Sequence, residues 1–390
     1  MKFGKYFLKF ICYMLIFTMI SAVFCLNTFA EPQTVESPSI ELDCKSAVLM
    51  EASTGKILFE KNANEAYAPA SVTKIMTLLI VMEAIESGAI NYTDMVSTSA
   101  NAASMGGSQV FLEEGEQMSV DDLVKSVVIA SANDAAVSLA EYVAGSEQTF
   151  VDRMNKRAAE LQMENTNFEN TNGLDDTVTN HVTSAMDIAI MSQELIKHRK
   201  ILEYSSIWMD TIRNGEFGLT NTNRLIRFYK GATGLKTGST SKAGFCISAT
   251  AERDGMELIA VIMGSPTRDV RNEAAKTLLD YGFANYSVYH KDGEEIGNIK
   301  IMGGVEDTFT AYYNDFNCVL PKGGAANVEY KIELNEDISA PILEREKVGS
   351  IKFYSGNELI GETDILASKD ISKINFWQYF VKMFARFLTV

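Results

Sequence analysis

The feature that most constrains this chain is a hydrophobic period that changes twice along its length. Residues 46–51 and 56–61 read as two short strands around Ser53-Thr54-Gly55, a hairpin turn signal. From there the apolar spacing is helical. One helix is expected over 71–86, closed by Gly88, and another opens at Ser119, with Asp122 three residues on in the manner of a capping box, and runs to about Ala130. Further helices are expected over about 134–144, stopping at Gly145, and over 151–161 and 183–197. After Gly234 the period becomes two. Residues 244–251 and 257–263 alternate on either side of Asp254-Gly255, a strong hairpin dipeptide, and a helix over about 270–281 follows. Strands, then helices, then strands and a helix close most simply when the last strands join the first in one antiparallel sheet flanked by helices, an α/β (α+β) architecture.

From Tyr289 onward the texture differs. Short alternating segments (298–302, 307–313, 326–334, 349–354, 358–364) are separated by Gly, Pro and acidic turns, which predicts a small all-β domain over 289–368. With 390 residues, 46% of them apolar, the chain is long enough for two cores. Its formal charge is −16, from 35 basic and 51 acidic residues, and a counterion-displacing nucleic-acid surface is not expected on such a body. The two ends are exceptions. Lys2, Lys5 and Lys9 in residues 1–30, and Lys373, Lys382 and Arg386 in residues 371–390, have no acidic neighbours; without these six, 29 basic residues face 51 acidic ones, a net of −22.

The N-terminal lysines precede an apolar run from Phe10 to Leu26, and Thr28-Phe29-Ala30 supplies small residues for cleavage, so 1–30 is expected to be a secretory signal peptide. An uncleaved anchor is the competing reading. Removal of Cys12 and Cys25 leaves Cys44, Cys246 and Cys318, too few and too scattered for a disulfide framework or a metal knot. At the other end, residues 369–390 wound as a helix place Asn375, Gln378, Lys382, Arg386 and Thr389 on one stripe. Ile374, Trp377, Phe380, Val381, Phe384, Phe387 and Leu388 cover the rest. That pattern suits a helix lying on a membrane surface; an ordinary docking helix is the alternative.

Three short segments can do chemistry. Pro69-Ala70-Ser71-Val72-Thr73-Lys74 places a serine at a helix start and a lysine one turn later on the same face. Positive backbone potential there favours developing negative charge, and a neutral Lys74 could take the proton of Ser71. Ser131-Ala132-Asn133 falls in the break between two helices, where a loop can aim a hydroxyl and an amide into a cleft. Lys236-Thr237-Gly238-Ser239-Thr240 enters the first late strand, with Gly238 allowing another backbone close. Each segment alone is weak. In the order S-x-x-K, S-x-N, K-T-G, with gaps of 60 and 105 residues, they are a strong joint signal.

On these motifs the chain resembles the low-molecular-mass penicillin-binding proteins that act as D-alanyl-D-alanine carboxypeptidases, from the hairpin near Val48 to the C-terminal amphipathic helix. Asn170-Thr171-Asn172-Gly173-Leu174-Asp175, His181 and the stretch from Gly231 through Gly244 also look like family segments. The resemblance implies a catalytic domain over 31–288 with the penicillin-binding protein and serine β-lactamase-like fold. It implies Ser71 as nucleophile, Lys74 as general base and Ser131 as proton relay. Asn133 would hold both the substrate amide and Lys74; Lys236, at the strand edge, and Thr237 would bind the terminal carboxylate, with Gly238 beside them in the substrate-binding segment. Backbone N–H groups of Ser71 and Ser239 would form the oxyanion hole. Arg271 would steer the carboxylate, with Arg268 as its substitute.

The implied substrates are peptidoglycan pentapeptide stems, the implied inhibitors β-lactam antibiotics, and the implied place the outer face of the bacterial cytoplasmic membrane. The family often has a larger His or Tyr where this chain has Ser239, which changes the contacts open to substrate. No cofactor is implied: His181, His198 and His290 have no metal-ligand spacing, and there is no Gly-rich nucleotide loop. A β-lactamase is the rival enzyme, but Glu164 and Glu169 lack the E-x-x-L-N segment and the second motif is S-A-N. A non-catalytic β-lactam sensor is the rival from another class, opposed by the intact Ser71, Lys74 and Lys236.

Overall fold

The core is organised around a helix that is apolar on every side. In the computed structural model, which describes residues 40–176 and 178–388, Lys74 through Met82 of that helix are all buried. A helix with no polar face must run through a core, with elements packed on all sides. The expected signal peptide, residues 1–30, lies outside the described residues.

The first strands, β1 (Ser46–Glu51) and β2 (Ile57–Lys61), pair as a hairpin. After them come the central helix α1 (Lys74–Glu86), α2 (Val120–Lys125), α3 (Asn133–Ala144), α4 (Glu147–Glu160) and α5 (Ala185–Lys197). The late strands β3 (Ala232–Thr240), β4 (Gly244–Arg253) and β5 (Met256–Ser265) complete one antiparallel sheet in the order β2-β1-β5-β4-β3. Strand β5 lies against β1 in register from Ser46↔Met263 to Glu51↔Leu258, so the late strands do join the early ones. Leu258 through Met263 are all fully buried, not alternately so as expected over 257–263, because β5 is a central strand on which α5 and α6 (Arg268–Asn285) both pack. Cys44 and Cys246 are buried free thiols and Cys318 is half-buried and free.

Two local differences from the sequence expectation matter for the site. The helix expected from Ser71 begins with a 3₁₀ turn, Ala70–Thr73, before α1. The helix expected to run from Ser119 to Ala130 is capped as foreseen, Ser119 Oγ accepting from Asp122 N at 3.1 Å, but it leaves α geometry at Lys125 and passes through a π turn, Ser126–Ala130. A hairpin of Met209–Ile212 with Phe217–Thr220 was not foreseen; its strands have no sustained alternation to reveal them.

Helix α6 runs to Asn285, four residues past the expected end, and passes directly into β6 (Tyr286–Lys291), which crosses the expected boundary at Tyr289. The remaining strands are β7 (Glu295–Lys300), β8 (Thr308–Tyr313), β9 (Phe316–Pro321), β10 (Val328–Leu334), β11 (Lys347–Ser355) and β12 (Glu358–Ala367). They form a sheet in the order β7-β8-β12-β11-β10 and a β6-β9 pair, an all-β unit as the alternation implied. Its core centres on Phe353, which stacks on Phe316 with ring centroids 3.9 Å apart and meets the Tyr289 edge.

The C-terminal helix α7 (Phe376–Leu388) exposes Phe376, Trp377, Phe380, Val381 and Phe384, in keeping with the amphipathic pattern. The side chains of Arg386, Phe387 and Leu388, and the whole of Thr389, lie outside the described residues. Among the described residues no helix is long and apolar enough to cross a membrane. Lys382, on the polar stripe, has partners within the chain: its Nζ pairs with Asp307 at 2.6 Å and donates to the Val305 carbonyl at 3.1 Å. Loop geometry, invisible in a helical projection, brings that carboxylate to the helix.

Truncating the most central aromatic of the β-domain should leave a cavity that its stacked neighbours cannot close. Phe353→Ala is expected to destabilise the β-domain by about 3–5 kcal/mol, read as a lowered denaturation midpoint in urea. A change within a few tenths of the wild-type value would show the ring stack to be dispensable.

Candidate active site

Lys74 occupies the first turn of the buried helix and is itself fully buried. Its Nζ donates to Ser71 Oγ at 2.9 Å, to Asn133 Oδ1 at 2.5 Å and to the Asn172 carbonyl at 2.8 Å. An ammonium has three donors, so all three are satisfied. The 3₁₀ turn explains the first contact: residues three apart eclipse one another in that geometry, setting Ser71 directly beside Lys74. Burial, then the charge of Lys236, hold the Lys74 pKa well below its ordinary value, against a smaller opposing pull from Asp134.

The turn that holds Ser71 is fixed from behind. Ala70 has φ +50°, and its carbonyl accepts from Thr73 Oγ1 at 2.9 Å. His181 Nδ1 accepts from Glu169 N at 3.0 Å, so Nε2 carries the proton and donates to Thr73 Oγ1 at 2.8 Å. Burial lowers the His181 pKa to about 4, which keeps the ring neutral in this role. The loop of Asn172 and Gly173 closes on the same turn so tightly that a Cβ on Gly173 would sit 1.9 Å from the Ala70 oxygen.

Ser131 and Asn133 come from the interruption between α2 and α3. The π turn ends at Ser131, whose φ of +63° is a left-handed conformation costing a non-glycine residue roughly 1–2 kcal/mol. Such strain is found where surrounding contacts over-determine a functional position. Here the 105–112 loop supplies them: Asn133 N donates to the Ser108 carbonyl at 2.7 Å and Asn133 Nδ2 to the Gly106 carbonyl at 2.6 Å, while buried Asp134 accepts from Val110 N and Leu112 N. Asn133 is thereby oriented with Oδ1 toward Lys74.

The third segment is the edge strand β3. Lys236 Nζ donates to Ser131 Oγ at 2.7 Å and to the Thr237 carbonyl at 3.0 Å; burial, then the charge of Arg271, bring its pKa down to about 7. Thr237 Oγ1 bonds Thr222 Oγ1 at 2.8 Å. Gly238 has the close approach that its place in the motif implied: a Cβ there would lie 2.7 Å from Ser71 N and 2.9 Å from Val72 N. Ser71, Ser131, Thr237, Gly238 and Ser239 all line one cleft of about 660 Å³.

Arg271 and Arg268 reach the same cleft. Arg271 is buried, with Nη1 donating to the Cys246 carbonyl and both Nε and Nη2 donating to Asn272 Oδ1. Three of its five N–H groups are engaged and two remain. Arg268 is exposed. The geometry therefore seats every sequence-derived site residue in or directly behind one cleft. Among the described residues no group of three or more His, Cys, Asp or Glu is placed to hold a metal ion.

Residues 31–267 match the family described as D-alanyl-D-alanine carboxypeptidase. The chain belongs to that family. Residues 283–373 match a second family, the C-terminal domain of penicillin-binding protein 5. The D-alanyl-D-alanine carboxypeptidase DacF of Bacillus subtilis is 40% identical over 360 residues, covering 90% of this chain and 92% of its own. DacC of Escherichia coli is 32% identical, covering 91% and 90%. Among solved structures, penicillin binding protein 5 from Haemophilus influenzae matches with a TM-score of 0.75 and 31% identity over 86% of this chain and 99% of that one. Penicillin-binding protein D2 from Listeria monocytogenes, in its ampicillin-bound form, matches with a TM-score of 0.59 and 30% identity over 63% of this chain and all of that one.

Within this D-alanyl-D-alanine carboxypeptidase, sequence reasoning had assigned no role to several residues that the site uses. The Asn172 carbonyl on Lys74 is a backbone contact and leaves no side-chain signature. Thr222 meets Thr237 only through the fold, and Arg224, Arg227, Trp208 and Phe228 line a cleft wall that no motif announces. The conjunction of His181 with Asn170–Asp175 was the available signal for the support behind Ser71.

A methyl group at Gly238 must push β3 away from the Ser71 turn. Gly238→Ala is expected to slow acylation by a fluorescent penicillin by about tenfold or more, 1.4 kcal/mol or more of barrier, with a cooperative unfolding transition retained. Undiminished acylation would show that the approach of β3 to Ser71 is not needed.

Proposed function

We propose that this chain removes the terminal D-alanine from peptidoglycan stem peptides through an acyl-enzyme on Ser71, and that the motif residues divide the work as follows. Ser71 Oγ attacks the carbonyl between the last two D-alanines while Lys74 Nζ accepts its proton. The N–H groups of Ser71 and Ser239 receive the negative charge that develops on the carbonyl oxygen. Lys236, Thr237 and Arg271 hold the terminal carboxylate, and Asn133 positions the substrate amide. The proton that Lys74 takes passes through Ser131, hydrogen-bonded to Lys236, to the departing amine, so free D-alanine leaves as the C–N bond breaks and Lys74 is neutral again. Lys74 then takes a proton from water as its oxygen attacks the ester carbonyl, and that proton goes to Ser71 Oγ as the ester C–O bond breaks.

The observation that carries this reading is Lys74 Nζ at 2.9 Å from Ser71 Oγ in surroundings that disfavour its charge. A permanently charged lysine could not act as a base. Of the rival readings, the β-lactamase lacks support among the relatives, whose names are those of carboxypeptidases and penicillin-binding proteins. A non-catalytic sensor would have no use for a base poised beside its serine. β-Lactams, which present a similar carboxylate and carbonyl, would acylate the same serine.

The test is mass spectrometry after incubation with diacetylated Lys-D-Ala-D-Ala, where loss of one alanine is expected and an unchanged peptide would sink the proposal. Lys74→Ala should lower kcat by about 10²–10⁴ if the lysine is the general base. Retention of a tenth or more of the activity would assign the base elsewhere. The pH profile follows from the same charges. Lys74 must be neutral to accept a proton, so kcat/KM should rise with pH through its depressed pKa. Lys236 must be protonated to hold a carboxylate, so kcat/KM should fall again as pH climbs past about 7.

We further propose that residues 1–30 direct export, that 31–288 and 289–368 are the catalytic and β-domains, and that 369–390 hold the enzyme on the outer face of the cytoplasmic membrane. The exposed aromatic face of α7 would enter the acyl boundary, with Lys373 toward anionic headgroups and Lys382 kept on Asp307. A truncation test should stop after Asn375, because Ile371 is buried in the β-domain core. The truncated mature chain is expected to keep activity on a small peptide and lose flotation with anionic liposomes. Flotation equal to that of the full mature chain would place the anchor elsewhere.

A further inference from the structure

Positive charge in the cleft does not stop at the residues assigned above. Lys236 and Arg271 are buried at its floor, and Arg224, Arg227 and Arg268 line the same cavity from exposed positions. Among the described residues none of these three outer arginines has a carboxylate partner. Four arginines elsewhere do, Arg157 with Glu83, Arg199 with Glu257, Arg213 with Glu116 and Arg253 with Asp280, while Arg153 and Arg345 have none among the described residues. Arg227 lies over the Trp208 and Phe228 rings, at 5.6 and 5.4 Å, which accounts for its position without neutralising it.

The charges form a connected series. Lys236 feels Arg271, and Arg271 in turn feels both Arg268 and Arg224; Asp269 opposes them in part, and Glu273 nearby is occupied by Lys276. Unpaired guanidinium groups close together repel one another and are retained at a cost, which an arriving anion relieves. They also stand on a chain whose formal charge is −16, so that at long range the rest of the molecule on balance opposes an anion.

We propose that Arg224 and Arg268 form an outer capture station for the substrate's carboxylate, drawing it to the cleft mouth before Arg271 and Lys236 take it at the floor. The proposal rests on the carboxypeptidase reading for its substrate, but its chemistry concerns any carboxylate-bearing ligand of Ser71. The outer arginines touch the anion on its way in and take no proton from it. Exposed charges of this kind act over a Debye length, about 10 Å at 0.1 M salt and about 30 Å at 0.01 M, so their effect has a salt signature that a purely structural role lacks.

The experiment compares the full mature chain with its R224Q/R268Q variant at low and high ionic strength. It measures kcat/KM for diacetylated Lys-D-Ala-D-Ala and the second-order rate constant of acylation by benzylpenicillin, an anion. For the wild type both constants should fall about threefold to tenfold between roughly 0.02 M and 0.3 M salt. The variant should be slower at low salt, nearly flat with salt, and convergent with wild type at high salt. Equal rates at low salt would overturn the proposal, as would a deficit of the same size at every salt concentration, which marks a contact or structural role. If the wild type released no alanine, the carboxypeptidase reading would fail while the penicillin arm still decided the capture station.

Discussion

An ammonium group buried on the first turn of an all-apolar helix is the constraint on which the rest of the structure depends. Lys74 cannot be solvated where it lies, and a buried, unpaired charge costs several kcal/mol. The fold answers with three acceptors from three separate parts of the chain: Ser71 on the preceding turn, Asn133 from the break between α2 and α3, and the Asn172 carbonyl from the loop before His181. Each acceptor then needs its own support. The Gly106–Leu112 loop orients Asn133, and Gly173 with His181 braces the turn at Ala70. The expense of keeping a lysine in the core is also its chemical use, since the environment that resists its charge leaves a base beside a hydroxyl.

The joining of late strands to early ones, the central helix and the three motifs were legible in the sequence because each leaves a periodic or spaced trace. Ser71 and Lys74 three apart, and the hairpin at Asp254-Gly255, are patterns that survive without coordinates. What was illegible belongs to contacts made by backbone or by geometry. The Asn172 carbonyl has no residue identity to betray it, and the π turn of Ser126–Ala130 uses residues that would serve equally in an α-helix. The strand Tyr286–Lys291 is only partly buried and follows α6 without a break, so neither alternation nor a turn marked its start. The partner of Lys382 was illegible for another reason: Asp307 comes from a loop 75 residues earlier.

Positive charge collects at the cleft of a chain with an acidic surplus: Lys74, Lys236 and Arg271 are buried in or behind it. Burial lowers the pKa of all three: Lys74 lies well below its ordinary value and Lys236 falls to about 7, while Arg271, at about 10, keeps its proton. Close positive neighbours thus coexist because one of them gives up its charge, leaving the guanidinium as the dependable anion holder.

The approach of β3 to the Ser71 turn has a consequence for resistance to antibiotics. With less than a methyl group's space between Gly238 and the Ser71 and Val72 amides, a side chain there disturbs whatever those amides bind. On the mechanism proposed above, the peptide and a β-lactam place the same kind of oxygen on the same donors. A substitution at Gly238 would therefore spare the enzyme from the drug only by disabling it toward the cell wall, and selection has no foothold at that position. Escape has to be sought where the two ligands differ in shape, along the cleft walls of Trp208 and Phe228, rather than at the strand edge they share.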